Sequence, residues 1–356
     1  MDVRAEILRF DPSRPLSAAS TPPRTWYTEP DIARLERTAV FDHTWQYVAR
    51  LDQLTEPGSY VAGVHAGIPW VVVRDTDGTL RAFHNACRHK ATQVAQGTGR
   101  CDTLVCPYHG WEYGLDGGLR RAPRMGRMEG FSREAFSLAP MSVEVWGPLV
   151  FVNGDRTAPP LAPQLAPLTE GLDHTGWRSL AFHSQRVYDF ACNWKVFADN
   201  YLDGGYHVAH MHPTLDAQLD MSTYRTELYE RFSVQTSGGD PDHAARIGES
   251  TIYAFVYPNL MLNRYGPCLD TNLVLPLGPD RCRVLFDFWF APGTDAAFIE
   301  QSMQTSEVTQ REDMWVSELV QTGLGSPSYD QGRYAEVEKA THHFHRLLAE
   351  DLRAAL

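Results

Sequence analysis

At 356 residues, with 43% hydrophobic and 21% charged side chains, the chain is too apolar for disorder and long enough for two domains with separate cores. Its 44 acidic against 32 basic residues give a formal net charge of -12, and the absence of any Lys or Arg run excludes a surface built to neutralise nucleic-acid phosphates. No apolar stretch approaches the roughly 20 residues that span a bilayer, and Asp2, Arg4, Glu6 and Arg9 stand where a secretory signal needs apolar side chains, so a soluble cytoplasmic protein with no membrane partner is expected.

The first 25 residues hold Pro12, Pro15, Pro22 and Pro23 without sustained periodicity and predict an extended arm. Thr28 followed by Glu29, Pro30 and Asp31 reads as a helix start, with a short helix running to about residue 41. Residues 1–44 thus form an arm and helix expected to pack on the larger domain. From Trp45 the pattern changes to short β-type runs at 70–73, 104–106 and 149–151, broken by Gly, Asp and Pro, which predicts a small all-β domain over 45–155. The proline-rich stretch 158–167 reads as a linker. Beyond it, 251–257 and 282–290 look like antiparallel strands, and 296–319 and 337–355 look helical, so 156–356 is expected to be an α+β domain.

Two stretches carry chemistry. Residues 87–109 read C-R-H, sixteen residues, then C-P-Y-H-G-W, placing Cys87 with His89 and Cys106 with His109. Two thiolates and two imidazoles are the ligands of a Rieske two-iron two-sulfur centre, whose neutral imidazoles leave it less negative, and higher in potential, than four thiolates would. Zinc also accepts two Cys and two His, but zinc fingers pair like with like, whereas each pair here is mixed. Cys101, Cys192, Cys268 and Cys282 are left as buried structural thiols.

More than half of the chain lies beyond this domain and requires a purpose of its own. Residues 193–213 read N-W-K-V-F-A-D-N-Y-L-D-G-G-Y-H-V-A-H-M-H-P, dense in metal-binding groups. Two imidazoles and one carboxylate on one face of iron leave positions open for dioxygen and substrate. His207 and His212 are five apart and diverge by about 140° on a regular helix. His207 and His210 converge better, so either that pair is used or the chain distorts near Gly204 and Gly205. A polar helix end with hydrogen-bonded histidines is the structural alternative.

Both stretches, with the trailing G-W-E-Y-G-L-D-G-G-L, resemble the α subunits of Rieske non-haem iron oxygenases, the ring-hydroxylating family, and the likeness runs from about Trp45 onward. It implies an α+β fold: an all-β Rieske domain, then an antiparallel-sheet, helix-grip (START-like) catalytic domain with C-terminal helices. Thr92 and Tyr108 stand where high-potential respiratory relatives carry an extra cysteine pair, which implies a lower-potential cluster fed by a ferredoxin or flavin reductase drawing on NAD(P)H. The resemblance carries ligation of a mononuclear Fe(II) to His207 and His212, and places Asn200 beside the iron. Many relatives set a bridging carboxylate three residues before the first histidine. Here that residue is Gly204, and Asp203, one earlier, is assigned the bridge. Asp313, chosen over Glu312, is the third ligand. The family's homotrimer would let Asp203 link His207 to His109 or His89 of the partner subunit. His342, His343 and His345 are read as structural.

Within the family, N-W-K-V-F-x-D-N-Y-L-D-G-G-Y-H-V, residues 253–267 and the segment from V-Q-T-G-L to H-H-F-H resemble the choline monooxygenase subfamily. The likeness implies hydroxylation, with O2, of a carbon near a quaternary ammonium group, as in choline. Tyr253, Phe255 and Tyr257 alternate along one run and Phe286, Phe288 and Phe290 along another, a pattern that suits a cation cage or plain sheet core. The alternatives are hydroxylation of an aromatic or alicyclic compound, and a non-catalytic Rieske electron carrier, against which His207, His212 and Asp313 count.

Overall fold

The N-terminal arm begins with a helix that was not expected, while its proline-bearing stretch, residues 9–24, holds only a short 3-10 turn at Leu16–Ala18. In the computed structural model, which describes residues 1–240 and 246–356, α1 (Val3–Leu8) starts where the Asp2 side chain accepts a hydrogen bond from the Ala5 amide. It buries Ile7 alone, too little for periodicity to register. Then α2 (Thr25–Thr28) buries Trp26 and Tyr27, and α3 (Pro30–Glu36), with proline in its first turn, runs into a π-helical turn at Arg37–Phe41.

The chain divides into two units, Met1–Val40 with Gln164–Leu356, and Phe41–Pro163. The second break lies later than the expected 155/156 because the proline-rich stretch is tied to the small unit and is not a free linker. The Trp45 indole N–H donates to the Pro159 carbonyl (3.0 Å), and Glu144 accepts from the Leu161 amide (3.0 Å) at the start of α4 (Leu161–Gln164).

The small unit is all-β. Strands β1 (Gln46–Arg50), β2 (Ser59–His65), β3 (Ile68–Arg74), β4 (Leu80–His84), β5 (Gly97–Arg100), β9 (Pro140–Trp146) and β10 (Leu149–Asn153) form a seven-stranded sheet in the order β1-β10-β9-β4-β3-β2-β5. Between β5 and β9, the strands β6 (Leu104–Val105), β7 (Glu112–Tyr113) and β8 (Leu119–Arg121) make a three-stranded sheet. The unbroken apolar run of β3 is explained by burial on both faces. Val71 and Val73 join a core with Phe83, Cys87, Cys106 and Trp111, while Trp70 and Val72 join a second core with Val61 and Val150.

In the large unit, α5 (Ala166–Asp173) leads to β11 (Ala181–Phe190), α6 (Trp194–Leu202), α7 (Val208–Met211) and α8 (Pro213–Asp216). A meander follows: β12 (Leu219–Leu228), β13 (Phe232–Gly239), β14 (Ser250–Val256), β15 (Leu260–Tyr265), β16 (Cys268–Gly278) and β17 (Arg281–Phe290). With β11 beyond β17, these make one antiparallel seven-stranded sheet, order β11-β17-β16-β15-β14-β13-β12. The long α9 (Ala296–Leu324), capped by Asp295, and α10 (Lys339–Ala354) complete the expected sheet with C-terminal helices. Among the described residues no helix is long and apolar enough to cross a membrane.

Two features of this unit prepare the site. Helix α6 starts at Asn193, whose side chain accepts from the Lys195 amide, and is pinned by a fully buried Lys195–Glu36 pair at 2.6 Å. Helix α9 buries Ser302, Ser306, Gln310, Asp313 and Ser317, so its inward stripe is polar where a core-facing helix would be apolar.

Candidate functional site

In the small unit, Cys87 and His89 lie on the loop after β4, and Cys106 and His109 on the loop after β6. Backbone bonds close each loop: the Cys87 and Thr92 main chains pair (2.8 Å), and the Cys106 amide donates to the Trp111 carbonyl (2.8 Å). Gly110 takes a left-handed conformation (φ +67°) that lets its amide turn back to the Cys106 carbonyl. Both thiols are buried in the core and both imidazoles are exposed, with their Nδ1 atoms 3.2 Å apart. The His89 ring stacks on Trp111 at 5.1 Å. Burial raises the Cys87 pKa, against the Tyr113 hydroxyl at 3.3 Å, which lowers it; thiolates at this depth need a metal to balance them. The four donors do not converge as zinc would require. Among the described residues, the one group whose ligand atoms lie within 4.8 Å of one another is His207, His212 and Asp313. Buried sulfurs on one side and exposed nitrogens on the other fit a two-iron cluster.

In the large unit, α6 stops at Leu202 and Asp203 caps it. Gly204 and Gly205 both adopt left-handed φ (+75° and +77°), and a Cβ on Gly204 would sit 2.4 Å from the Val337 carbonyl, so the distorted turn demands glycine. Helix α7 is only one turn long, with His207 and His212 as its two caps. That placement answers the angular objection, because neither histidine sits on a continuous helix, and their rings come to 4.9 Å, edge to face. His210 is exposed and takes no part.

Each imidazole is held from its far side by a carboxylate. His207 Nδ1 faces Asp203 Oδ2 at 2.6 Å, and His212 Nδ1 faces Glu312 Oε2 at 2.6 Å. Those contacts fix the proton on Nδ1 and leave both Nε2 lone pairs directed at Asp313 Oδ1, at 3.9 and 3.1 Å. Lone pairs aimed at a carboxylate oxygen repel unless a cation stands between them, so this donor set fits a divalent metal. Asn200 Nδ2 donates to the same Asp313 oxygen at 2.7 Å. Burial disfavours charge on His212, yet Asp313 and Glu312 outweigh it and raise its pKa. Glu312, passed over as the third ligand, is instead the group that orients His212. His342, His343 and His345 lie on α10, and His345 is buried against the Tyr27 and Tyr334 hydroxyls.

A cavity opens beside the triad. Its wall includes a row of residues directly opposite one another in β13 to β16: Gln235, Tyr253, Asn263 and Asp270. Tyr201, Tyr265 and Phe286 add ring surface, and Arg246 lies on the same wall. Asp270 is buried; Tyr265 donates to its Oδ2 (2.6 Å) and Asn263 to its Oδ1 (2.5 Å), while burial pushes its pKa up to about 6. Of the alternating aromatics, Tyr253 and Phe286 line the cavity. Phe255 and Tyr257 pack on Phe344 of α10, and Phe288 and Phe290 fill the sheet core.

A small β unit presenting paired Cys and His, followed by a sheet-and-helix unit presenting two histidines and a carboxylate, is the architecture of a Rieske-type terminal oxygenase. Residues 44–133 match the family described as the Rieske 2Fe-2S domain, and residues 177–354 match the ring hydroxylating alpha subunit (catalytic domain). The chain is 44% identical to a chloroplastic choline monooxygenase of Arabidopsis thaliana, over 99% of this chain and 87% of that one. It is 29% identical to the carnitine monooxygenase oxygenase subunit of Escherichia coli, over 93% of this chain and 94% of that one. The crystal structure of a quaternary ammonium Rieske monooxygenase in complex with L-carnitine has a TM-score of 0.82 and 27% identity, covering 94% of this chain and 96% of that one. The chain belongs to the Rieske ring-hydroxylating oxygenase α-subunit family.

Proposed function

We propose that this oxygenase hydroxylates a quaternary ammonium compound, of which choline is the type, beside His207, His212 and Asp313. Asp270 carries the reading. It is a buried carboxylate on a wall that also carries aromatic rings, amides and Arg246. Burying that charge is costly unless a cationic ligand uses it, and an aromatic or alicyclic substrate has no such use. Tyrosine faces around it attract an onium group through their ring quadrupoles. Relatives named for choline and carnitine support the same class.

Iron bound by the triad would supply activation of dioxygen with electrons relayed from a cluster held by Cys87, His89, Cys106 and His109. The chain's own part is to bind and orient. Asp203 and Glu312 fix the two imidazoles, Asn200 holds the Asp313 oxygen, and the tyrosine wall with Asp270 seats the cation. Electrons would arrive singly from a ferredoxin or flavin reductase drawing on NAD(P)H, in a cytoplasmic homotrimer whose Asp203 also serves the partner subunit's cluster. The test supplies iron-loaded protein with a ferredoxin, a reductase and oxygen, and offers choline, betaines and aromatic acids. Hydroxylation of a quaternary ammonium compound in proportion to NAD(P)H consumed is expected; turnover of aromatic acids alone would overturn the reading.

Asp270→Asn gives a second check with an unusual sign. Because burial raises the Asp270 pKa from 3.8 to about 6, its contribution to stability is fully present below pH 4 and lost as pH rises through 6. The variant is therefore expected to be more stable than the wild type at pH 8, by about 3 kcal/mol. It should also bind quaternary ammonium ligands about 10-fold more weakly, and wild-type binding should weaken as pH falls below 6 and the carboxylate is neutralised. Thermal melts and ligand titrations at pH 5 and pH 8 measure both; a variant less stable at pH 8, with unchanged affinity, would contradict the assignment.

A further inference from the structure

The same cavity contains a cation that a simple onium substrate does not explain. Arg246 lies on its wall and is partly buried. Its Nε donates to Ser302 Oγ (2.9 Å), and one terminal nitrogen, Nη2, donates to Ser306 Oγ (2.8 Å) and the Tyr265 hydroxyl (2.6 Å). All three acceptors are neutral. Among the described residues no carboxylate lies within salt-bridge distance of Arg246, and Nη1 has no hydrogen-bond partner there. Its nearest ionic relation runs through Tyr265, which accepts from Arg246 and donates to Asp270. A guanidinium drawn out of water is ordinarily paired, since the loss of hydration is offset only by an opposite charge or a ligand.

We propose that Arg246 is the anchor for a carboxylate on the substrate, so that the quaternary ammonium compound is a zwitterionic betaine; this rests on the onium reading above. Choline would bring a second positive charge to a wall that already carries one beside its single Asp270. A betaine matches both: its onium group meets the tyrosine faces and Asp270, and its carboxylate takes the Nη1 edge of Arg246, which has no partner among the described residues, in charge-assisted hydrogen bonds. The placement suits such a molecule. Ser306, which holds Arg246, and Asp313 are seven residues apart on α9, so the anchor lies about 10 Å along the helix from the metal-side carboxylate. A substrate fixed there by its carboxylate directs its other end toward the triad. Two of the serines in the polar stripe of α9, Ser302 and Ser306, thereby gain a purpose, which is to hold the guanidinium without neutralising it.

The test compares binding of choline, glycine betaine and γ-butyrobetaine to the full-length holoprotein, wild type and Arg246→Gln, by calorimetric titration. The wild type is expected to prefer at least one of the two betaines over choline. Arg246→Gln should weaken that betaine on the order of 30-fold, the range of a lost hydrogen-bonded charge pair, while choline binds more tightly because a like charge has been removed. Opposite shifts for the two ligands are something a purely structural arginine would not produce. Arg246→Lys, which keeps the charge without the planar fork, should fall between and serves if the glutamine variant does not fold. Choline preferred by the wild type, or both ligands weakened alike in the variants, overturns the role of Arg246 and leaves the onium reading standing. If none of the three ligands binds, the onium reading fails and this inference with it.

Discussion

Asp313→Ala is expected to remove the mononuclear iron and abolish turnover while leaving the Rieske cluster in place. The prediction follows from how the three donors are made. The two Nε2 atoms are presented by residues at either end of a one-turn helix, and among the described residues Asp313 Oδ1 is the anionic atom close to both. Alanine leaves two neutral imidazoles, too few and too weakly charged to retain a divalent ion against water, and it strips Asn200 of its acceptor. Loss of the metal forfeits several kcal/mol of transition-state stabilisation, so hydroxylation should fall by about 1,000-fold or more. Metal analysis should show the mononuclear iron gone and the cluster iron retained, with the cluster's visible spectrum unchanged. Glu312→Ala, which frees His212 Nδ1 but keeps every ligand, is expected to cost only about 10- to 100-fold in iron affinity. If Asp313→Ala kept all its iron, or Glu312→Ala lost more than Asp313→Ala, the roles of the two acidic residues would have to be exchanged.

The contrast between those neighbours shows where sequence reasoning ends. The Cys and His pairs are legible because a cluster held on two short loops imposes its own spacing, whatever the surrounding fold. The second centre is different. His207 and His212 make sense only once the chain breaks at Gly204 and Gly205, and spacing alone points as readily to His210, which is exposed. Glu312 and Asp313 are adjacent, so one helical step of about 100° decides which faces the histidines' Nε2 atoms and which reaches around to Nδ1. A signal was present in α9: polar residues at 302, 306, 310, 313 and 317 recur at helical spacing. Periodicity searches look for apolar stripes, and a polar one reads as a solvated face. Asp270 and Arg246 leave no local pattern at all, because their significance comes from the cross-strand row opposite Asn263 and from the serines of a distant helix. The alternating aromatics, read as either cation cage or sheet core, could not be divided between the two for a related reason. A period of two tells which residues share a face, whereas packing of α10 decides that Phe255 and Tyr257 meet Phe344 while Tyr253 faces the cavity.

Asp203→Asn is expected to reduce turnover by about 100-fold, and iron titration separates the two reasons it would do so. In this chain Asp203 is fully engaged before any partner subunit is considered. Its Oδ1 accepts from the Gly205 and Tyr206 amides (2.9 and 3.1 Å), and its Oδ2 accepts from the His207 amide (3.0 Å) and faces His207 Nδ1 (2.6 Å). Asparagine can keep the Oδ1 bonds, but its amide nitrogen then opposes two donors, the His207 backbone N–H and ring N–H. His207 must turn or change tautomer, and the Nε2 lone pair no longer points at Asp313. If positioning His207 is the whole role of Asp203, iron affinity falls about 10- to 100-fold and excess iron restores turnover. If the carboxylate also connects His207 to a cluster histidine of the partner subunit, turnover stays low with iron saturated, and oxygen reoxidises the reduced cluster slowly even with substrate bound. Iron affinity and turnover both within a few-fold of wild type would remove Asp203 from the site altogether, and would return the two left-handed glycines to the status of a helix stop.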